Sequence, residues 1–248
     1  MFSSFNFFSK KPTNVTLDWM GVDIHSHILP GIDDGSRNMA SSISYIKGLS
    51  ELGINKFICT PHIFTEVYPN STDTIVPVLE LLRQELVIQH IDVEVNAAAE
   101  YMMDLDFLDL LQNDQILCLK GKYVLVEMSY QVETRNIDQF IFDLNIKGYL
   151  PVLAHPERYI YYHNNFQQLR RLKEQGCLFQ LNLLSLAGYY GKAVKQIALM
   201  LLKENMIDVV GSDLHHDKHL EFATKFVKSG DAAKYLGNYP IRNKELFL

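Results

Sequence analysis

The chain has 248 residues, 48% of them hydrophobic and 21% charged, enough to bury the core of one α/β barrel or of two small domains, and too apolar for a globally disordered chain. Its formal net charge of −6 disfavours a phosphate-backbone ligand, because nucleic-acid binders present basic surfaces, so neither DNA nor RNA is an expected partner. The absence of any apolar run of about 18 residues excludes an ordinary membrane-spanning helix, and three dispersed cysteines, Cys59, Cys118 and Cys177, without a Cys-x-x-Cys pair suit a reducing compartment, so the cytoplasm is the expected location.

Residues 1–19 read as an N-terminal tail. Phe2, Phe5, Phe7 and Phe8 are free to dock on the domain or on a partner subunit. The charges follow the apolar part and no small-residue cleavage site appears, so this is a poor signal peptide. Residues 20–248 carry no Pro/Gly/Ser linker and no shift in composition, and read as a single domain. Short runs rich in β-branched and aromatic residues predict strands at Gly21–His25, Asn55–Thr60, Val93–Ala98, Tyr123–Met128, Tyr149–Ala154, Leu178–Leu183 and Asp208–Gly211. Between them, helical spacing recurs at Ile75, Val78, Leu79, Leu82 and Leu86, at Ile137, Phe140, Ile141 and Leu144, and at Val194, Ile197, Ala198, Leu201 and Leu202. Gly53, Gly148 and Gly176 stand where left-handed C-caps belong. Seven repeated βα units with apolar strands predict a parallel sheet, closed or nearly closed into a barrel.

In such architectures functional groups gather just beyond the C-terminal strand ends. There the chain places His25-Ser26-His27, Thr60-Pro61-His62, Glu100, Glu127, His155-Pro156-Glu157-Arg158 and Ser212-Asp213-Leu214-His215. Only the sixth strand, ending near Asn182, brings no ligand. In a strand, residues two apart point the same way, so His25 and His27 share a face, and Asp213 and His215 repeat that spacing. The turn at Asp33-Asp34-Gly35 adds acidic oxygens. Nine candidate donors result, His25, His27, Asp34, His62, Glu100, Glu127, His155, Asp213 and His215. They exceed the four or so that one tetrahedral zinc takes and suit two or three divalent ions, with manganese, iron or zinc all compatible with mixed imidazole and carboxylate ligation. Clustered ions suit phosphate-ester hydrolysis, and Arg158 is placed to fork onto a phosphoryl group, the alternative being a surface ion pair with Glu157 or a helix carboxylate. Of the other histidines, His90 and His163 read as surface or capping residues, and His216 and His219 as exposed loop residues near the site.

Cysteine-based phosphatase chemistry is excluded, because an arginine must stand six residues after the nucleophile and Thr65, Val124 and Leu183 stand there instead. Serine-triad and P-loop signatures are also absent.

These motifs, in this order over about residues 20–220, resemble the polymerase-and-histidinol-phosphatase (PHP) superfamily. Within it they are most similar to the bacterial manganese-dependent protein-tyrosine phosphatases of capsular and exopolysaccharide operons. The resemblance implies a distorted (β/α)7 TIM-like barrel with a trinuclear site, manganese first and iron, zinc or magnesium as alternatives. It also implies a substrate in the phosphotyrosine tail of a membrane-associated bacterial tyrosine kinase, and a role in regulating capsule or exopolysaccharide synthesis and export. His25, His27, His62, Glu100, His155, Asp213 and His215 match the superfamily motifs, Asp34 matches the Asp-Asp-Gly loop, and Glu127 falls where residue type varies. Arg158, Asp213 and His215 carry the expected catalytic roles. The chain departs from the pattern after Ser-Asp-x-His, where a second arginine is replaced by His216, Lys218 and His219 as the available cations. A small-molecule phosphatase for histidinol phosphate is the alternative within the superfamily, though its loop after His-x-His differs. A metal-stabilised binding subunit and a nuclease are the others, and a homo-oligomer is compatible with the sequence.

Overall fold

A computed structural model describes residues 15–248, and the aromatic tail residues Phe2 to Phe8 lie outside this range. The elements in order are α1 (Met39–Glu51), β1 (Lys56–Cys59), β2 (His62–Ile63), α2 (Thr72–Ile88), β3 (Glu94–Ala97), β4 (Glu100–Met102), α3 (Leu105–Gln112), β5 (Tyr123–Glu127), α4 (Ile137–Ile146), β6 (Leu150–Ala154), α5 (Phe166–Glu174), β7 (Leu178–Asn182), α6 (Leu183–Ala187), α7 (Lys192–Lys203), β8 (Val209–Gly211), α8 (Asp217–Lys228), α9 (Asp231–Leu236) and α10 (Asn243–Phe247). Every ladder between these strands is parallel. The three helices expected from their apolar spacing form as α2, α4 and α7, and Gly53, Gly148 and Gly176 take φ of 99°, 77° and 88° just past helix ends, a region that costs glycine little.

Past the ends of the second and third predicted strands the chain breaks the ladder once and then extends it. Pro61 has no N–H to give the ladder, so β1 stops and β2 resumes beyond it, while β3 and β4 part at Ala98-Ala99. Pairing persists across the break, with Ala98 N donating to Cys59 O at 2.8 Å and Glu100 N to Pro61 O at 3.1 Å. Closure depends on residues 22–27, an extended segment wedged between the first and last strands. On one side Asp23 bridges Phe57, and on the other Ser26 bridges Leu214. The flanking bonds run from Ile58 N to Asp23 O at 2.8 Å, from Asp213 N to His25 O at 2.7 Å and from His27 N to Leu214 O at 3.0 Å. Counting each broken strand once, the result is a closed but distorted seven-stranded α/β barrel.

Two apolar layers hold it. Val22, Ile24, Ile58, Ala98, Leu125, Val152, Ala154 and Val209 pack together with Phe247 and Leu119, while a larger cluster joins the helices to the outside of the barrel. Below the metal-facing end, α10 plugs the seam. Its Asn243 side chain is fully buried, accepts from Val210 N at 2.9 Å and donates to Val22 O at 3.0 Å and Val210 O at 2.7 Å. One amide thus ties the first and last strands where their own ladder has parted. Residues ahead of residue 20 also pack on this body: Leu17 is fully buried and its N–H donates to Leu52 O at 2.6 Å.

Candidate metal centre

His25 and His27 leave the opening segment on the same side, as the two-residue period requires, and their Nε2 atoms stand 3.3 Å apart. The loop that follows folds back over them. Gly35 permits this, because a Cβ there would lie 2.1 Å from His27 O and 2.4 Å from His27 Cβ. Asp33, next to it, accepts from His27 Nδ1 at 2.8 Å, from Gly35 N at 2.9 Å and from His62 N at 3.2 Å. Asp33 is therefore a support rather than a donor to the bowl, while Asp34 turns inward, its Oδ1 3.5 Å from Nε2 of both His62 and His215. The β2–β4 register sets His62 beside Glu100, and the β4–β5 register sets Met102 beside Glu127.

The remaining donors sit just past β6 and β8. His155 and Asp213 both hold positive φ, 36° and 50°, an unusual conformation for side-chain-bearing residues and one that clusters at functional sites. All nine candidate donors converge. They form four overlapping sets, His27/Asp34/His62/His215, His25/Glu100/His155, His25/His27/Asp213 and His62/Glu100/Glu127, and within each set the donor atoms lie within 4.8 Å of one another. Glu100 joins two of the sets: its Oε2 is 3.2 Å from His25 Nε2, 3.3 Å from His27 Nε2 and 3.2 Å from His62 Nδ1. Yet Glu100 Oε2 makes no hydrogen bond and is buried. A buried anionic oxygen left without a hydrogen bond beside three imidazole nitrogens is a donor that a divalent cation would satisfy, so the donor set fits metal ions.

Titration behaviour follows from this crowding. Burial would depress His27, but Asp33, Asp213 and Glu100 outweigh it and hold its proton well above the ordinary range. His62 is likewise pushed up to about 9, the effect of burial being overcome by Glu127 and Glu100. Burial raises Glu100 in principle, but His25 and His62 bring it well below the usual carboxylate range. His215 falls to about 4, through burial and then the neighbouring His27 charge.

Arg158, in the short helical turn Pro156–Arg158, does not pair with Glu157. Its Nη1 donates to Asp213 Oδ2 at 2.7 Å, and its Cζ lies 4.2 Å from the ring centroids of both Tyr130 and Tyr190. Asp213 therefore divides its oxygens: Oδ1 faces His25 and His27 at 3.3 and 3.4 Å, and Oδ2 is taken by Arg158 and by Asn182 Nδ2 at 2.6 Å. Glu157 is instead fully buried, accepting from Asn182 N at 3.0 Å and Ser185 Oγ at 2.6 Å, with burial lifting it to about 7.

The reading of His219 as an exposed loop residue is corrected. It lies inside α8, buried, edge-on to Tyr189 at 4.7 Å, and burial lowers it to about 3. A neutral ring cannot stand in for an arginine. Lys218 is exposed and does not line the site, whereas His216, the α8 N-cap, lies at its mouth. His163 is a cap as expected, 2.9 Å from Glu157 O, and His90 is exposed just past α2. Above the donors opens a cavity of roughly 740 Å³, lined by Phe64, Tyr68, Tyr130, Tyr189 and Tyr190 among others. Tyr68 stacks on His62 at 5.3 Å and 14°. Tyr130, Tyr190, Gln180 and Asn182 escaped the sequence reading, since aromatic and amide side chains at loop and strand positions carry no spacing that marks them.

A closed parallel barrel with imidazoles and carboxylates crowded at its C-terminal mouth defines an α/β barrel whose donors fit metal binding. Residues 21–236 match the family described as capsular polysaccharide synthesis, CpsB/CapC, and the chain belongs to that family. It is 36% identical over 205 residues to the tyrosine-protein phosphatase YwqE of Bacillus subtilis (strain 168), covering 82% of this chain and 81% of the relative. It is 27% identical over 201 residues to the tyrosine-protein phosphatase CpsB of Streptococcus agalactiae serotype V, covering 79% and 83%. A solved structure from work on YwqE of Bacillus subtilis and CpsB of Streptococcus pneumoniae, described as unique metal-dependent tyrosine phosphatases, superposes with a TM-score of 0.82 at 34% identity. That match covers 90% of this chain and 91% of the other.

Proposed function

We propose that this chain is a metal-dependent phosphomonoesterase that removes phosphate from protein phosphotyrosine. The observation that carries the reading is the convergence of nine donors beneath an aromatic-walled cavity. When bound, divalent ions supply the Lewis acidity and the acidified water that phosphoester hydrolysis needs. We assign two or three ions to the four overlapping donor sets, manganese first, with iron, zinc or magnesium as alternatives. His215, kept neutral near pH 7 by burial, offers a free lone pair. Asp213 would offer one oxygen to the ions, and has the other steadied by Arg158 and Asn182. Arg158 has N–H groups left over from its single bond to Asp213, and those orient the phosphoryl group, its guanidinium held by contact with two phenol rings.

Phe64, Tyr68, Tyr130, Tyr189 and Tyr190 favour an aryl phosphate. A phosphotyrosine reaches further from its backbone than a phosphoserine, so a recessed site behind an aromatic collar selects the longer side chain. The substrate we assign is the phosphotyrosine tail of a membrane-associated bacterial tyrosine kinase, met in the cytoplasm, with capsule or exopolysaccharide synthesis as the regulated process. The family description supports the capsule process and the names of the relatives support phosphotyrosine as the substrate group; among the described residues no helix is long and apolar enough to cross a membrane.

The test compares phosphotyrosine peptide, phosphoserine peptide and histidinol phosphate on metal-stripped protein given each ion in turn. Restored activity with manganese and a preference for phosphotyrosine peptide are expected. Preference for histidinol phosphate would replace this reading with the small-molecule one.

A further inference from the structure

β7 brings no donor to the bowl, yet its side chains hold three residues that do. Gln180 lies fully buried on this strand. Its Oε1 is 2.8 Å from His25 Nδ1 and accepts from His155 N at 3.2 Å, while its Nε2 donates to Leu181 O at 2.8 Å. Two residues on, Asn182 Nδ2 donates to Asp213 Oδ2 at 2.6 Å. The seat is built closely. Gly211, on the neighbouring β8, leaves room for both partners, since a Cβ there would lie 2.6 Å from His25 Cβ and 2.9 Å from Gln180 Nε2.

We infer that Gln180 is a positioning residue for the metal centre, one that fixes His25 with its proton on Nδ1 and its lone pair on Nε2, facing the ions. The inference rests on the metal-dependent reading above. An amide oxygen can only accept, so at this distance it selects the Nδ1–H tautomer and sets the ring plane. The neighbouring ligand is handled differently, because His27 Nδ1 meets a carboxylate, Asp33, at 2.8 Å. His27 thus gains basicity from a full negative charge, whereas His25 gains orientation without adding charge to a bowl that already holds four carboxylates, Asp34, Glu100, Glu127 and Asp213. Gln180 reaches the loop start as well, through the His155 N–H. His155 N also donates to the Gln180 main-chain O at 2.8 Å, so this residue meets donors from the first and fifth strands of the barrel with its side chain and its backbone together.

The experiment titrates Mn²⁺ into metal-free parent, Gln180→Leu and Gln180→Glu proteins by calorimetry. It also follows the His25 Nδ1–H signal by NMR in the zinc-loaded forms, with thermal unfolding as the folding control. Gln180→Leu keeps the bulk and removes the acceptor, so Mn²⁺ affinity should fall roughly 10- to 100-fold and the slowly exchanging Nδ1–H signal should vanish. Gln180→Glu keeps an acceptor and should stay within about tenfold of the parent, retaining the signal. If Gln180→Leu does not fold, loss of the signal or of metal binding in a folded Gln180→Glu overturns the inference on its own. A parent that binds Mn²⁺ with Gln180→Leu unchanged overturns the positioning role alone. A parent that binds no divalent ion overturns the metal-dependent reading and this inference with it.

Discussion

Arg158→Ala separates the contact with Asp213 that this side chain makes in the structure from the phosphoryl contact proposed for it. Its Nη1 holds Asp213 Oδ2 at 2.7 Å, and the guanidinium lies 4.2 Å from the Tyr130 and Tyr190 ring centroids. Removing it leaves Asp213 Oδ2 still held by Asn182 at 2.6 Å, so the carboxylate keeps a partner and metal affinity should fall less than about tenfold. The phosphoryl group loses a preorganised donor, for which a decrease in kcat/KM of roughly 10²-fold, about 2.7 kcal/mol, is expected. Arg158→Lys restores charge but not the planar fork or the stacking between two rings, each contact worth about 0.5–1 kcal/mol, and should recover only part of the loss. The assay is steady-state hydrolysis of a phosphotyrosine peptide with metal content measured on the same samples. Kinetics for Arg158→Ala within twofold of the parent would refute the phosphate-clamping role. A metal loss matching the kinetic loss would mean that Arg158 acts only through Asp213.

Four further outcomes are expected. Chelation should abolish phosphatase activity, since no side chain among the described residues is placed to replace an acidified water; full activity after verified metal removal would sink the mechanism. Gly211→Ala should weaken Mn²⁺ binding by about tenfold or more through the forced shift of His25, read by calorimetry, and unchanged affinity would show that the seat can relax. Asn243→Ala removes three bonds at the barrel seam and should cost roughly 3 kcal/mol in urea unfolding, a loss under about 1 kcal/mol contradicting its role as a clasp. Metal uptake near pH 7 should release protons: His62 is raised to about 9 in the metal-free protein, so its proton must leave, and affinity should rise with pH towards that value. The same shift stabilises the metal-free fold fully below the ordinary value of 6.5, and that contribution disappears as pH rises through about 9. Calorimetry in buffers of different ionisation enthalpy checks the release, and zero net proton transfer would contradict it.

The elements and the side chains that gather at the barrel mouth were legible because both rest on local rules. Apolar spacing marked α2, α4 and α7, β-branched runs marked the strands, and the strand period put His25 and His27 on one face. Parallel βα repeats also told where to look, since side chains just past strand ends share one mouth. Several features were not legible, for a common reason: they depend on contacts between residues far apart in the chain. Barrel closure needed residues 22–27 to bond β1 on one side and the segment after β8 on the other. Arg158 pairs with Asp213, 55 positions away, rather than with adjacent Glu157, because Glu157 is taken by Asn182 N and Ser185 Oγ. His219 carries no sign of burial in its own segment, yet packing against Tyr189 makes it a neutral core ring. Strand periodicity likewise showed β7 only as a strand without ligands, and the fold made Gln180 and Asn182 its contribution to the site. Donor identity is written locally, whereas the orientation of each donor is set by neighbours that only the folded chain brings within hydrogen-bonding distance.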